Sequence, residues 1–376
     1  MTEHHIGLNA HLLSGQAGYR RAGIHGYIAH TLAHLPDVDP DLRYTVFVGE
    51  GAPPEHSRLL VRRSRLPTGR PAVRILWEQT VLPWQLDGLD LIHGLAFVTP
   101  LLARCPSVVT VYDLSFLHYP ERLPAARRLY LRTFTGISCR RARRVITISR
   151  SGADDVHRLL GIPRDRIDVA VPGVHPDYFP RPAETVEAFR ARQGLPARFL
   201  LHVGTIEPRK NLPVLLQAYA RLPEAVRREV PLILVGGRGW GMAELEAAIA
   251  AGGLQDSVRL AGYVPDEELP LWYSAATAFV YPSVYEGWGM PVVEAMACGT
   301  PVLVSDASSL PEAAGDAGLC LPPHDVEAWT AALGRALHDA DWRREATEKG
   351  PAHAAMFSWE KTARAIARSY RQALDN

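Results

Sequence analysis

Ala278-Phe-Val-Tyr-Pro-Ser-Val-Tyr-Glu-Gly-Trp-Gly-Met-Pro-Val-Val-Glu294 decides how this chain folds. Residues 278–283 read as a buried strand, the glycines as the loop leaving it, and 291–298 as a helix with Gly299 beyond its end. Such a unit aims backbone N–H groups and the positive end of a helix dipole at one point, which suits a phosphate. Glu286 belongs to the loop and Glu294 to the helix, so the two carboxylates do not share a helical face. They are placed to grip different parts of one ligand.

The same pattern runs through the rest of the chain. A strand precedes the glycine-bearing segment 14–26, and β-rich runs at 44–48, 89–93, 107–112, 144–148 and 167–171 alternate with helical stretches. After Pro172-Gly-Val-His-Pro-Asp-Tyr-Phe-Pro-Arg-Pro182, a proline-rich connection, the pattern restarts with strands at 199–204, 231–237, 258–264, 278–281 and 301–305. Alternation of this kind predicts an α/β protein with two parallel sheets. The expected domains are 1–178 and 179–356, followed by a closing helix over 357–376 that starts at the Ser358 cap. Open parallel sheets hold ligands outside the carboxyl ends of their strands, so the site is expected in a cleft between facing domains.

Composition narrows the function. At 376 residues with a formal charge of +1, the chain has no electrostatic case for general nucleic-acid binding. It has no long apolar run and no signal-peptide pattern, so a soluble, cytoplasmic protein is expected. Cys105, Cys139, Cys298 and Cys320 are widely spaced and read as small buried residues, not as a zinc site or disulfide framework. Only three of the 41 basic residues are lysines. Against that bias Lys210 stands out, because an ammonium is a compact charge that a planar guanidinium does not reproduce.

Lys210 lies in Gly204-Thr-Ile-Glu-Pro-Arg-Lys-Asn211, between a strand and the helical stretch 212–220. Arg209 and Lys210 are candidates to neutralise a diphosphate leaving group. The segment is not a Walker A loop, and Gly236-Gly-Arg-Gly-Trp-Gly241 lacks the dinucleotide GxGxxG spacing. Gly23 is a candidate for close backbone approach to the same ligand. Tyr112, Asp113 and His118, at the end of a buried strand, are candidates to line the cleft. Asp37-Val-Asp39 matches a metal-binding DxD only superficially and reads as a polar turn. The arginines from Arg127 to Arg144 are expected on one basic helix, which reads first as a solvated surface and second as a contact for anionic lipid or acceptor.

Taken together with Ser308-Ser-Leu-Pro-Glu-Ala-Ala-Gly-Asp-Ala-Gly318, these motifs resemble the retaining nucleotide-sugar glycosyltransferases of family 4. The resemblance implies a GT-B architecture: an acceptor-binding first domain, a donor-binding second domain, and a terminal helix that crosses back to the first. It implies that Glu286 meets the donor sugar, with backbone at Gly287, Trp288, Gly289, Met290 and Pro291 meeting sugar and phosphate. Glu294 would hold the ribose, Gly204, Thr205, Arg209 and Lys210 would surround the diphosphate, and Tyr263 and Val264 would border the base. Many relatives carry histidine where Tyr112 stands and arginine where Thr205 stands. Those departures assign Tyr112 to positioning and more of the phosphate charge to Arg209 and Lys210.

The implied reaction moves a hexose from a nucleoside diphosphate to a glycan, lipid-linked or small-molecule acceptor, with retention and without a metal or other cofactor. GDP-mannose is the first expected donor, by analogy with bacterial polysaccharide enzymes. UDP-glucose and UDP-N-acetylglucosamine follow, and a GT-B epimerase or hydrolase and a non-catalytic sugar-nucleotide binder are the other classes. Peripheral contact with the inner face of the membrane, through the arginine-rich helix, is the second reading of that helix after a plain solvated surface.

Overall fold

The computed structural model describes residues 3–13, 23–237, 239 and 241–375. They divide into one unit of residues 1–173 with 358–376, and a second of residues 174–357. The first division thus falls at Gly173, inside the proline-rich connection and five residues before the expected boundary at 178.

Unit 1 is built on β1 (His4–Asn9), β2 (Leu42–Val48), β3 (Leu59–Arg63), β4 (Leu91–Gly94), β5 (Ser107–Val111), β6 (Arg144–Thr147) and β7 (Ile167–Val169). All pairs are parallel, in the order β3-β2-β1-β4-β5-β6-β7. β4 and β5 are buried along their whole length, as inner strands of a parallel sheet are, with His93 and Thr110 bonded to each other inside. β3 escapes sequence reading because it lies at the sheet edge with only Leu59 buried. The expected basic helix ends at Arg141. Arg144 instead opens β6 and pairs with Asp168, while Arg143 donates to the Ala373 carbonyl at 2.6 Å. The short apolar strand 144–147 ends the helix that the arginine count alone would extend.

Unit 2 contains β8 (Leu200–Val203), β9 (Leu232–Val235), β10 (Val258–Gly262), β11 (Ala278–Tyr281), β12 (Val302–Ser305) and β13 (Leu319–Leu321). This sheet is also wholly parallel, in the order β10-β9-β8-β11-β12-β13. On one face, Leu215, Leu216 and Tyr219 of the helix Leu212–Ala220 share a core with Trp329 and Leu333 of the helix Val326–His338. Each such side chain contributes roughly 1.5–3 kcal/mol on full burial.

The chain then returns to unit 1. The helix Trp359–Asp375 buries Trp359, Thr362, Ala363, Ile366, Ala367, Tyr370 and Ala373, a stripe with helical period, and packs on the helix Ile24–Val38. Gly173 permits the join, since a Cβ there would lie 2.1 Å from the Trp359 nitrogen. Tyr370 Oη lies 2.6 Å from Nδ1 of buried His93, whose Nε2 meets Thr110 at 2.8 Å. Arg371 donates twice to Asp39, at 2.7 and 2.9 Å, so the aspartate of the DxD-like turn is an anchor for the closing helix. Cys139 and Cys298 are buried as expected, whereas Cys105 and Cys320 are partly exposed.

Candidate active site

The order of the second sheet reverses between β8 and β11, and the loops that follow these two strands carry the charged motifs. A parallel sheet offers its ligand crevice at such a reversal, outside the carboxyl ends. After β8, Gly204 adopts a φ of +157°, residues 208–210 form one tight turn, and Asn211 takes the left-handed conformation. Asn211 holds that turn by donating to the carbonyls of Pro282 and Pro323, at 3.2 and 2.6 Å. After β11, Val284 N–H donates to the Arg209 carbonyl at 2.9 Å, which ties the two loops together.

This tie brings Arg209, Lys210 and Glu286 into one cluster. Arg209 lies 2.6 Å from one carboxylate oxygen of Glu286 and Lys210 lies 2.7 Å from the other. Arg209 also pairs with Glu207 at 2.7 Å and donates to the Tyr285 carbonyl at 3.1 Å. Lys210 is bonded to the Tyr281 hydroxyl, and its ammonium lies 4.6 Å from the Tyr281 ring centre. Burial alone would push Glu286 upward, but Arg209 and Lys210 outweigh it and hold the carboxyl at about 2. Burial, reinforced by Arg209, lowers Lys210. The His202 ring stacks on Tyr281 with ring centres 5.5 Å apart, and burial lowers it to about 4.

The glycine loop is fixed from behind by two serines. Glu286 N–H donates to Ser308 Oγ at 2.8 Å, and Ser309 Oγ donates to the carbonyls of Glu286 and Trp288 at 2.9 and 2.7 Å. Ser308 itself has a φ of +52°, a strained conformation for a residue with a side chain. Neither serine has a role legible in the sequence, because bonds to a loop 22 residues away leave no local pattern. Glu207, Tyr281 and Asn211 were missed for the same reason.

The other candidates in this unit fall as follows. Gly289, at φ +120°, precedes the helix Met290–Ala297, which has Pro291 in its first turn and no side-chain cap. Gly287 and Met290 are partly exposed, whereas the Trp288 ring is buried edge-on against Phe357 at 5.1 Å. Trp288 therefore supports the loop with its ring and offers a ligand only backbone. Glu294 accepts from the Tyr273 hydroxyl at 3.1 Å, and burial raises its carboxyl to about 7. Thr205 is exposed beyond β8. Tyr263 and Val264 follow the edge strand β10, separated from β8 by β9, and Tyr263 is nearly half exposed while Val264 is buried.

Tyr112, Asp113 and Gly23 belong to unit 1. Tyr112 is buried, donates to the Leu95 carbonyl at 2.8 Å, and packs edge-on against Tyr27 and Phe97. Burial raises its phenol well above the ordinary value. Asp113 accepts from the Ser115 N–H at 2.8 Å and so opens the short helix Ser115–His118. Gly23 starts the helix Ile24–Val38 at φ +65°, and a Cβ there would meet no described atom within 4 Å. Residues 14–22, Arg238 and Trp240 of the two further glycine-bearing segments lie outside the described residues. No group of three His, Cys, Asp or Glu is placed to hold a metal ion, and no helix is long and apolar enough to cross a membrane, among the described residues.

Comparison with known proteins agrees with this geometry. The family description "Glycosyl transferases group 1" matches residues 186–353, and "Glycosyltransferase Family 4" matches residues 23–178. The chain is similar to the O-antigen chain mannosyltransferase B of Escherichia coli, with 41% identity over 320 residues that cover 84% of this chain and 83% of that protein. It is also 31% identical over 264 residues to a serotype-specific mannosyltransferase of Escherichia coli, of which it covers 32%, against 68% of its own length. Among solved structures, sucrose-phosphate synthase from Thermosynechococcus elongatus superposes with a TM-score of 0.75 at 24% identity, covering 98% of each chain. WaaG, a glycosyltransferase involved in lipopolysaccharide biosynthesis, does so with a TM-score of 0.72 at 18% identity, covering 96% of this chain and 98% of its own. At those identities the two structures speak for the fold.

Proposed function

We propose that this chain, which belongs to the family 4 glycosyltransferases of GT-B fold, transfers mannose from GDP-mannose to a hydroxyl of a growing polysaccharide, with retention of configuration. The observation that carries this reading is the convergence of Arg209 and Lys210 on Glu286 at the reversal point of the second sheet. Two fixed cations beside a glycine loop and an uncapped helix start are suited to a diphosphate. The choice of mannose and of a polysaccharide acceptor rests on the 41% identity to an O-antigen mannosyltransferase.

In the proposed reaction, Arg209 and Lys210 take the charge that develops on the departing diphosphate, the role a divalent metal plays elsewhere. Glu286 orients hydroxyls of the donor sugar, and Glu294 accepts from the ribose. A carboxyl held at about 2 is too weak a base to remove a proton from the acceptor hydroxyl. That supports front-face attack in which a leaving-group oxygen takes the acceptor proton. The C1–O bond to phosphate breaks as the new glycosidic bond forms on the same face, through an oxocarbenium-like state. Tyr112, a phenol bonded to a backbone carbonyl, packs and positions and does not carry protons.

A thermal-shift screen in EDTA with GDP, UDP, ADP and their sugar conjugates tests the donor. A ligand at about 100 times its Kd adds roughly 2.7 kcal/mol to stability. Stabilisation by GDP and GDP-mannose above the others is the expected result. Selective stabilisation by UDP-sugars would replace mannose, and no response to any nucleotide would overturn the assignment.

A further inference from the structure

The first sheet reverses its order between β1 and β4. Outside the carboxyl ends of these strands lies a cavity of about 40 Å³, lined by Asn9, His11, Arg74, Glu78, Phe97 and Tyr130 among others. Asn9 is the last residue of β1, and Phe97 follows β4. Phe97 is held at a φ of +61°, a strained conformation for an aromatic residue.

The polar groups of the cavity are costly to keep without a ligand. Glu78, from the helix Pro71–Thr80, is 7% exposed. Asn9 Nδ2 donates to its carboxylate at 3.2 Å, and Arg74 stands off at 3.9 Å. His11 is 6% exposed, lies against Trp77 with ring centres 4.1 Å apart, and meets Thr68 Oγ1 through Nδ1 at 3.0 Å. Its other nitrogen, Nε2, is buried without a hydrogen-bond partner among the described residues. A buried polar atom left unpaired costs free energy that a matching ligand would recover.

A hydroxyl is the group that matches. It accepts from His11 Nε2 when that nitrogen carries the proton and then gives its own proton to the Glu78 carboxylate; in the other tautomer it gives that one proton to Nε2. Burial lowers His11 to about 4, so the ring is neutral near pH 7 and gives an anion no charge to meet. Glu78 disfavours an anion and Arg74 a cation. The volume admits a hydroxyl or hydroxymethyl group with its water, not a whole pyranose ring.

We propose that this cavity is a subsite for the hydroxyl-bearing edge of a neutral saccharide, the sugar of the acceptor, read by Asn9, His11, Glu78 and Tyr130. As an acceptor site it rests on the sugar-transfer reading given above. The test uses the full chain, wild type and the variants Glu78→Gln and Tyr130→Phe, with mannotriose as the saccharide. Calorimetry measures mannotriose binding, and initial rates with GDP-mannose give KM and kcat separately. Expected are an acceptor Kd and KM raised about tenfold in Glu78→Gln and severalfold in Tyr130→Phe. Turnover at saturating acceptor and the Kd for GDP-mannose should stay within roughly threefold of wild type.

Unchanged mannotriose Kd and KM in both variants, with donor use intact, would overturn the subsite and leave the glycosyltransferase reading standing. A wild-type chain that binds no nucleotide sugar, yet binds mannotriose in a way that Glu78→Gln weakens, would do the reverse. Failure of the wild type to bind mannotriose at all, as a ligand or an acceptor, would also overturn the subsite. If Glu78→Gln does not fold, Tyr130→Phe decides, since it removes one oxygen and keeps the ring.

Discussion

Glu286 carries a cation on each oxygen. Lys210 is nearly buried, so Lys210→Ala leaves Glu286 with only Arg209, and in the proposed reaction it removes one of the two charges that meet the leaving group. Its kcat is expected to fall roughly 10²-fold, and that of Arg209→Ala similarly, the loss typical of a missing oxyanion donor. Near-wild-type turnover of both variants in a GDP-release assay would remove them from the chemistry. Glu294 makes a different prediction. Its carboxyl titrates at about 7 instead of the usual value near 4.5, so in the free protein it holds its proton below pH 7. A ribose hydroxyl donates best to an ionised carboxylate, so affinity for GDP-mannose should rise between pH 6 and 8. The donor's own diphosphate is ionised throughout that range. Glu294→Gln should bind more weakly at pH 8 and lose the pH dependence, and an unchanged profile would exclude Glu294 from the ribose. The same shift bears on stability: between pH 4.5 and 7 the unfolded chain loses a proton that the folded chain keeps, so this residue erodes stability as pH rises through that window.

At the scale of elements, the glycine loop depends on one backbone conformation. Gly289 sits at φ +120°, and a Cβ there would come within 2.8 Å of Leu310 Cδ2. Gly289→Ala should therefore destabilise by about 1–3 kcal/mol and weaken donor binding, read as a lower urea midpoint and a higher Kd. A variant as stable as wild type would show the loop to be adaptable. The elements also show why some of the molecule is legible in its sequence. Leu212–Ala220 matches its sequence-read bounds, being flanked by Asn211 and a charged residue, while the buried strand Ala278–Tyr281 stops at Pro282, two residues short of the 278–283 first read for it. β3 and β13 are invisible, being short edge strands with little buried surface. The charged residues of the site could be named from local motifs. The pairing of Lys210 with Tyr281, the serine bonds behind the loop, and the His11–Glu78 cavity could not, because tertiary contacts alone create them.

At the scale of the molecule, the closing helix returns the chain from unit 2 to unit 1 and buries Trp359, Ile366 and Tyr370 there. Three such side chains, with the His93 and Asp39 bonds, are a large share of the stability of an ordinary domain. A chain ending at residue 357 should show a separate, lowered unfolding transition for unit 1 by calorimetry, while unit 2 keeps its response to GDP. A single transition at the wild-type temperature would show that unit 1 does not need the helix. What the whole chain transfers, and with which stereochemistry, is read from one spectrum. The product formed from GDP-mannose and a mannose-terminated acceptor in EDTA is examined by NMR at the new anomeric carbon. Because the donor sugar is α-linked, retention predicts an α-mannosyl signal with one GDP released per linkage. A β-linkage would contradict retention, and no transfer from GDP-mannose while another sugar nucleotide is consumed would contradict mannose as the transferred sugar.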